Sequence, residues 1–406
     1  MQREFRMINR WSIFIFCIVF YHLQGYANGK ISVEMVDSLS HDQYMQGEWN
    51  ALIETGKIAK KNGISFKYLS QRLGYAHFIQ KNYYQSLQNY EQAWKFDSQD
   101  EITQWYLFYN ATNLGRNSLA RYYSKGFSKE DLQYYHQQTY RWIDAIDSEY
   151  SYKMVNSNVV HDAAYRRIGI NSQIGRQLNL YQSVAFFNQN TDTTKTEQYE
   201  YYVLASWNPL PKTNLSLGYH YVLPEVNYVY VGISYPYTYP GHAFFGKLSQ
   251  QIHRFDIAGS GAFYNSKRVN SQQVGLHASV NFAGNLPVGL HASYYRVFES
   301  GSNNANEEYH EQFNIFRQSC SLLLSNRLWL EGFIYEGKLN YFIDNNGLYI
   351  YNSLDYTKFR TGLSAFFYVN RPLTIYLNYT YDIKQMYSQE SIYNQHSLTG
   401  GIVWKI

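Results

Sequence analysis

Two copies of the five-residue segment GLHAS contain the residue types whose spacing could do chemistry in this sequence. Each copy places a histidine two residues before a serine, His277 before Ser279 and His291 before Ser293. Residues two apart on a β-strand share one face, so each imidazole could take a proton from a serine hydroxyl. That arrangement activates a nucleophile for ester hydrolysis.

The neighbours of these pairs favour a plainer interpretation. The residues that alternate with the first pair are apolar: Val274, Leu276, Ala278, Val280 and Phe282. An H-x-S pair on a strand resembles the nucleophile pair of outer-membrane phospholipases and lipid A deacylases, in which the pair faces lipid. Here His277 and Ser279 lie on the opposite, polar face, and no Asn or acidic partner motif is recognisable. We therefore expect polar interior positions, with a lipid-modifying hydrolase as the alternative.

The elements that carry these residues are predicted to be strands. Beyond about residue 145, apolar and polar side chains alternate with a period of two, which indicates strands with one buried face. Residues 373–383 form the clearest run, and ten or more alternating residues match a tilted membrane crossing.

The connections between these strands are predicted to be asymmetric. Short turns such as 209–213 and 370–372 contrast with long polar or Tyr-rich segments at 223–241 and 299–312. This asymmetry is typical of outer-membrane barrels. We predict a transmembrane antiparallel β-barrel of 12–14 strands over residues 146–406.

The carboxyl-terminal segment QHSLTGGIVWKI strengthens this prediction. Leu398, Gly400, Ile402, Trp404 and Ile406 share one face and the strand runs to the last residue. It resembles the closing strand of bacterial outer-membrane barrels, with Ile406 where Phe or Trp is usual. A soluble β-sandwich or propeller is the alternative, but it needs a second sheet to cover so many apolar outward faces.

The composition agrees with a membrane barrel. Aromatic residues make up 19% of the chain and charged residues 16%, against roughly 25% charged in ordinary soluble proteins. Outer-membrane barrels carry aromatic girdles at both interfaces. The net charge of +4 is small and its Lys and Arg are scattered, so we expect no nucleic-acid partner.

Residues 28–145 have helical spacing and a self-similarity of 34 residues. Gly47, Lys81 and Gly115 are 34 apart, as are Ala59 and Ala93. The region resembles two and a half tetratricopeptide (TPR) repeats, which implies an all-α helical domain with packing positions at Leu73, Gly74, Tyr83, Tyr90, Ala93, Leu107 and Ala120. Solenoids expose a concave binding face, so we expect a partner-binding groove, with a plain helical spacer as the alternative.

The amino terminus predicts export. Arg3, Arg6 and Arg10 precede an apolar run of about eleven residues, and small residues lead to a cleavage site after Ala27. This is the order of a signal peptide over residues 1–27, and the run is too short for a membrane helix. An uncleaved anchor is the alternative. We expect an outer-membrane location with the helical domain in the periplasm.

No motif in the sequence predicts a metal, a cofactor or a catalytic residue. The polar residues predicted to face the barrel lumen carry both signs of charge, as in a water-filled interior: His220, Asp256, His277, His291, Arg360 and Asp382. Only Cys320 remains after the predicted cleavage, so no intramolecular disulfide is expected.

A leader, helical repeats and a carboxyl-terminal barrel together resemble two groups, the exopolysaccharide exporters and the smaller YaiO-like barrels. The resemblance implies outer-membrane lipid and the barrel-assembly machinery as partners, a periplasmic or envelope protein at the repeats, and a polysaccharide as cargo. We expect a role in export or assembly of a cell-envelope polymer. The alternative is a closed barrel that anchors a periplasmic complex.

Overall fold

The computed structural model describes residues 31–114, 116–128, 130, 142–174, 178–210, 212–230, 233–252, 254–282, 287–302, 308–325, 327–352, 355–370, 372–386 and 391–406. The predicted signal peptide lies outside these residues. The chain divides into two compact units, Met1–Thr103 and Gln104–Ile406. No helix within the described ranges is long and apolar enough to cross a membrane.

The amino-terminal part of the chain forms helices in pairs. They are α1 (Val33–Gln46), α2 (Trp49–Lys61), α3 (Lys67–Ile79), α4 (Tyr83–Phe96), α5 (Glu101–Asn113) and the shorter α6 (Asn117–Tyr123). The first members of the pairs begin at residues 33, 67 and 101, and the second members at 49, 83 and 117. Each start is 34 residues after the equivalent one.

The ends of the first helices repeat with the same period. The backbone N–H of Glu48 donates to the carbonyl of Gln43 at 2.9 Å, that of Asn82 to His77 at 2.8 Å, and that of Arg116 to Ala111 at 2.8 Å. Such a bond closes a helix through a residue in the left-handed region. Gly47 and Lys81 occupy that position with φ of 72° and 60°. The 34-residue spacing is therefore a structural repeat of helix–turn–helix units.

Close approach between α3 and α4 depends on one glycine. A Cβ atom at Gly74 would lie 2.6 Å from Cε2 of Tyr90, so the Tyr90 ring occupies the space that a side chain would need. The remaining predicted packing residues are also in contact or buried. Leu73 packs against the cluster of Val36, Ala59 and Leu69, Tyr83 meets the edge of Phe78, and Ala93, Leu107 and Ala120 are buried.

The described residues from Ile143 onward mainly form one closed antiparallel sheet. Its strands are β1 (Ile143–Asn156), β2 (Val160–Ile174), β3 (Leu178–Thr191), β4 (Thr194–Trp207), β5 (Thr213–Tyr230), β6 (Ile233–Thr238), β7 (Gly241–Ile252), β8 (Phe255–Ser266), β9 (Val269–Phe282), β10 (Val288–Ser302), β11 (Glu308–Ser325), β12 (Leu328–Leu339), β15 (Tyr356–Tyr368), β16 (Leu373–Gln385) and β17 (Ile392–Lys405). Two further short strands, β13 (Ile343–Asp344) and β14 (Tyr349–Ile350), pair only with each other.

The barrel closes where β17 pairs with β1, with Ile402 opposite Ser148 and Leu398 opposite Tyr152. Strands β6 and β7 follow one another along the same side of β5, so the wall has 14 strands. The expected range of 12–14 is confirmed at its upper limit, and the first strand begins three residues before the predicted boundary.

The two faces of the wall differ as the alternation predicts. Outward side chains are large, apolar and exposed, among them Leu217, Leu248, Ile257, Leu276, Leu363, Leu377 and Ile402. Inward side chains are polar and buried, among them Ser216, Gln273, Glu299, Ser319, Ser364, Thr380 and Ser397. A barrel with this distribution exposes an apolar belt outside and a polar lumen inside.

The prediction of long connections at 223–241 and 299–312 is wrong, because most of both segments is strand. Strand β5 runs on to Tyr230 and pairs with β6, while β10 and β11 together occupy all but residues 303–307 of the second segment. Their alternating pattern continues past the apolar belt, and backbone pairing satisfies the N–H and C=O groups there. The long connection lies elsewhere, between β12 and β15.

Candidate functional site in the barrel lumen

Residues 340–352, between β12 and β15, fold into the barrel, and we call them the inward loop. The segment contains β13, a 3₁₀ turn over Asn345–Gly347, and β14. The backbone N–H of Tyr341 donates to the carbonyl of Tyr351, and that of Tyr351 donates to Phe342. The inward loop is thus a small hairpin with its own hydrogen bonds.

Polar contacts tie the inward loop to opposite sides of the wall. The Tyr202 hydroxyl on β4 donates to the carbonyl of Asn346 at 2.7 Å. Across the lumen, Gln273 on β9 exchanges two hydrogen bonds with the backbone of Ile343, at 2.9 and 3.1 Å. Further bonds join the loop to β1, β5, β10, β12 and β15, through Glu149, His220, Glu299, Tyr335 and Arg360. The loop therefore spans the lumen.

An apolar cluster holds the first half of the inward loop. Phe342 is fully buried against the Tyr295 ring at 4.9 Å, and Val297 and Ile315 of the wall complete the cluster with Tyr335 and Leu339. We call these six residues the loop cluster. Apolar residues on an inward barrel face are unfavourable in a water-filled channel, because burial of apolar surface is worth about 25 cal/mol per Å². The wall is therefore built to hold the loop.

The tip of the inward loop requires a glycine. Gly347 has φ of 92°, and a Cβ there would lie 3.1 Å from Cβ of Phe245 on β7. Its carbonyl is 2.9 Å from Nδ1 of His220. A larger residue would be strained in backbone and would press on the wall.

The two GLHAS copies face each other across a hairpin, and this changes their pairing. Strands β9 and β10 place His277 opposite Ser293, and Ser279 opposite His291. Nδ1 of His277 lies 3.0 Å from the Ser293 hydroxyl, while Nε2 lies 2.8 Å from the Ser260 hydroxyl. The structure thus brings His277 to serines of neighbouring strands, and both of its ring nitrogens contact hydroxyls.

The other predicted lumen residues also lie on inward faces, in separate groups. His220 contacts Gly347 and lies 3.2 Å from a Glu200 carboxylate oxygen. Arg360 and Asp382 form an ion pair across β15 and β16, with Nε and Oδ1 3.5 Å apart. Asp256 lies opposite Ser279, which in turn lies opposite His291. No metal-binding group of His, Cys, Asp or Glu occurs among the described residues.

A cavity of about 550 Å³ remains in the lumen beside the inward loop. Its walls carry charges of both signs. Arg167 contacts Asp147 and Glu149 at 2.7 and 3.2 Å, and Glu149 also accepts hydrogen bonds from the hydroxyls of Tyr349 and Tyr376. Charged side chains of both signs are present, as the sequence predicts, but most of them form ion pairs with one another.

The inward loop is the feature that sequence reasoning missed. One signal was available: the connection contains Phe342, Ile343, Leu348 and Ile350, more apolar surface than a solvated loop carries. A second signal was the apolar residues Val297 and Ile315 on wall faces that are otherwise polar. Neither signal shows where the loop goes, because its partners lie on strands distant in sequence.

A closed antiparallel barrel with an apolar exterior, a polar lumen and an internal loop is the fold of outer-membrane β-barrel channels and porins, here with a helical amino-terminal region. No protein-family model matches the sequence, and no curated protein matches it.

Comparison with solved structures finds other barrels. The CymD monoaromatic hydrocarbon channel has a TM-score of 0.44 at 8% identity, over 70% of this chain and 92% of that one. The Acinetobacter baumannii outer membrane protein Omp33 scores 0.37 at 8% identity, over 65% and 99%. A bacterial polysaccharide outer membrane secretin scores 0.37 at 9% identity, over 66% and 100%. Similarity at this level says nothing about what this chain binds.

Proposed function

We propose that this protein is an outer-membrane barrel whose lumen is closed at rest by the inward loop, and whose amino-terminal helices bind an envelope partner. The process that we propose for it is export or assembly of a cell-envelope polymer. The observation that carries the proposal is the loop cluster, because its wall residues have no use in a pore for free diffusion. Passage of a polymer requires the inward loop to leave its place.

The helical region supports the recruiting part of the proposal. Three helix pairs repeat every 34 residues with equivalent helix starts and equivalent closing bonds. We propose that they are tetratricopeptide-like, and stacked pairs of this kind present an extended binding surface. We propose that they lie in the periplasm, on the side of the membrane from which β1 begins.

A second candidate is a closed barrel that anchors a periplasmic complex and never conducts. The same loop cluster favours it, since the hydrogen bonds and apolar contacts of the loop do not depend on any ligand. The two candidates differ only in whether the inward loop moves when a partner is bound.

Single-channel conductance in planar bilayers tests closure. Residues 343–350 can be replaced by Asn-Gly, because Tyr341, Phe342 and Tyr351 already form the paired ends of a hairpin. We expect no steady conductance from the wild-type chain and large steps from the shortened one. Equal, large steps from both would refute closure.

Photo-crosslinking in cells tests recruitment. A photoreactive residue is introduced at Met45, Tyr68 or Ile102, which are exposed on the helices, and at Leu276 on the outer barrel face as a control. We expect a protein adduct from at least one helical position and none shared with Leu276. Absence of adducts from all three helical positions would contradict the proposal.

We also propose that the barrel is not a hydrolase. The imidazole of His277 lies in the lumen between two serine hydroxyls, whereas a nucleophile pair for lipid needs a carboxylate or amide to orient the base and a face open to acyl chains. A double change of Ser260 and Ser293 to alanine is expected to leave any fatty-ester hydrolysis unchanged. Loss of a measurable hydrolysis in that variant would restore the enzyme alternative.

A further inference from the structure

Three of the cations that line the lumen cavity lie on nearby strands of one wall. Lys153 lies on β1, Lys384 on β16 and Arg360 on β15, and all three line the cavity. Strand β17 separates β1 from β16, and it contributes polar neighbours, with Ser397 opposite Lys153 and Gln395 opposite Asp382.

The carboxylates nearest to these cations are already engaged. Asp382 pairs with Arg360 and accepts a hydrogen bond from Gln395 at 3.2 Å. Asp355 accepts one from the Tyr393 hydroxyl at 2.8 Å, and its carbonyl accepts one from Lys384 at 3.4 Å. Both carboxylates are thus held by groups other than Lys153.

Lys153 is the exception among the three. Within the described part of the chain it makes neither a hydrogen bond nor an ion pair, although Arg360, Asp382, Lys384 and Glu149 all lie near enough to act on its charge. An ammonium group has three donors, and a half-buried one that no protein acceptor satisfies is costly unless something else does.

We propose that the lumen cavity is a binding site for a small hydroxylated carboxylate, such as a uronic acid, whose carboxylate is held by Lys153. The inference goes beyond the proposed function, because binding in a closed lumen requires neither conduction nor a recruited partner.

The remaining lining of the cavity fits the ring of such a ligand. Side-chain hydroxyls and amides are frequent: Ser151, Thr196, Gln198, Ser364, Asn378 and Thr399. The aromatic rings of Phe187, Phe366 and Tyr376 also line the cavity. Ligand sites of 300–1,000 Å³ combine apolar surfaces with a few polar groups that fix orientation, and about 550 Å³ falls within that range.

Isothermal titration calorimetry on the full-length protein in detergent tests this site, with sodium D-glucuronate, D-glucose and sodium acetate as probes. We expect saturable binding of glucuronate and binding of both other probes at least about tenfold weaker, since loss of a hydrogen bond to a charged group costs about that factor. Glucose has the sugar ring of glucuronate without its carboxylate, and acetate has the carboxylate without the ring.

Variants locate the site. Lys153→Gln is expected to weaken glucuronate binding about tenfold or more, while Lys153→Arg, which keeps the charge, retains most of it. Lys358→Gln is the matched control, because Lys358 is exposed on β15. Each variant is checked for the shift between boiled and unboiled gel bands that a folded barrel shows.

Several results would overturn the proposal. They are no binding of glucuronate by the wild-type protein, unchanged affinity in a folded Lys153→Gln barrel, and equal binding of glucose. Equal binding of acetate would also overturn it, since it would reduce the site to a bare anion contact without a ring.

Discussion

The helical region and the barrel wall place their apolar side chains on opposite sides. The helices bury Leu52, Leu87 and Ala93 in the seams between them. The wall turns Leu276 and its equivalents outward and buries Gln273 and Ser319. Leucine therefore stabilises the helical region from inside and the barrel from outside, because the apolar surroundings lie inside the one and outside the other.

The inward loop is a third environment inside the barrel. Around Phe342 the lumen face of the wall becomes apolar, as in the core of a soluble protein. Most other inward side chains of the wall are polar, and most of the charged ones are paired. We therefore expect the same kind of substitution to have different effects in the helix seams, on the outer face of the wall and around the inward loop.

Phe342→Ala is expected to have the largest effect. Phe342 is 0% exposed, and removal of a buried Phe side chain costs about 3–5 kcal/mol. Since this packing holds only the loop, release of the loop should become about a hundredfold more frequent or greater, seen as new conductance steps in planar bilayers. Phe316→Ala, at an outward position 49% exposed, should show none. A silent Phe342→Ala barrel would mean that polar contacts alone hold the loop.

Leu276→Arg compares the outer face of the barrel with the exposed face of a helix. Leu276 is 66% exposed in the middle of β9 and Ile102 is 61% exposed on α5. An arginine on the lipid face costs about 2–4 kcal/mol near the bilayer midplane, whereas a substitution on a solvated surface is usually within about 0.5 kcal/mol. The yield of folded, heat-modifiable barrel should fall for Leu276→Arg and stay unchanged for the control variant Ile102→Arg. Equal yields would argue against a lipid-facing wall.

Gly74→Ala breaks the close approach of α3 and α4. The added methyl group would lie 2.6 Å from the Tyr90 ring, and overpacking of this kind costs about 1–3 kcal/mol. The thermal transition of the helical circular-dichroism signal should fall, while Tyr68→Ala, at a position 60% exposed, should leave it unchanged. Addition of Tyr90→Leu should restore part of the loss. An unchanged transition in Gly74→Ala would show that the interface between α3 and α4 has room for an added methyl group.

Lys67→Gln is expected to have the smallest effect and to depend on pH. Hydrogen bonds to Asp100 and Asp97 raise the pKa of Lys67. The hydrogen bond from Lys67 lowers the pKa of Asp97. Burial alone would raise the pKa of Asp100, but hydrogen bonds from Lys67 and Thr103 outweigh it and lower that pKa.

The sign of the effect follows from these directions. A carboxyl group with a lowered folded pKa stabilises the fold above its unfolded value of about 3.9, and this stability is lost as pH falls through the folded pKa. The helical melting temperature should therefore fall below about pH 4 in the wild-type chain, and less steeply in Lys67→Gln. Parallel pH profiles for the two proteins would contradict the coupling.

Much of the architecture was predictable because it follows from local pattern. A period of two over ten or more residues predicts strands whatever their partners are, and the 34-residue spacing of Ala59 and Ala93 predicts equivalent helix positions. The predicted range of 12–14 strands also included the observed number, 14. Loop lengths were not predictable, since the alternation of residues such as Tyr228 and Tyr235 does not show where a strand leaves the apolar belt.

The candidate site was predictable only as a set of inward-facing residues. His220, Arg360 and Asp382 were identified as lumen positions from alternation, but their partners were not, because those partners lie on other strands or on the inward loop. The pairing of His277 with Ser293 rather than Ser279 arises from hairpin register, which places residues of two copies opposite each other.

The sequence by itself determined which faces meet lipid, which meet water and where the helices repeat, because these properties depend on neighbours within a few residues. Only the tertiary structure decided that the inward loop spans the lumen and that Lys153 has no hydrogen-bond or ion-pair partner among the described residues. Both depend on contacts between residues far apart in the chain, such as Gln273 with Ile343 and Tyr349 with Glu149, and no local pattern specifies such contacts.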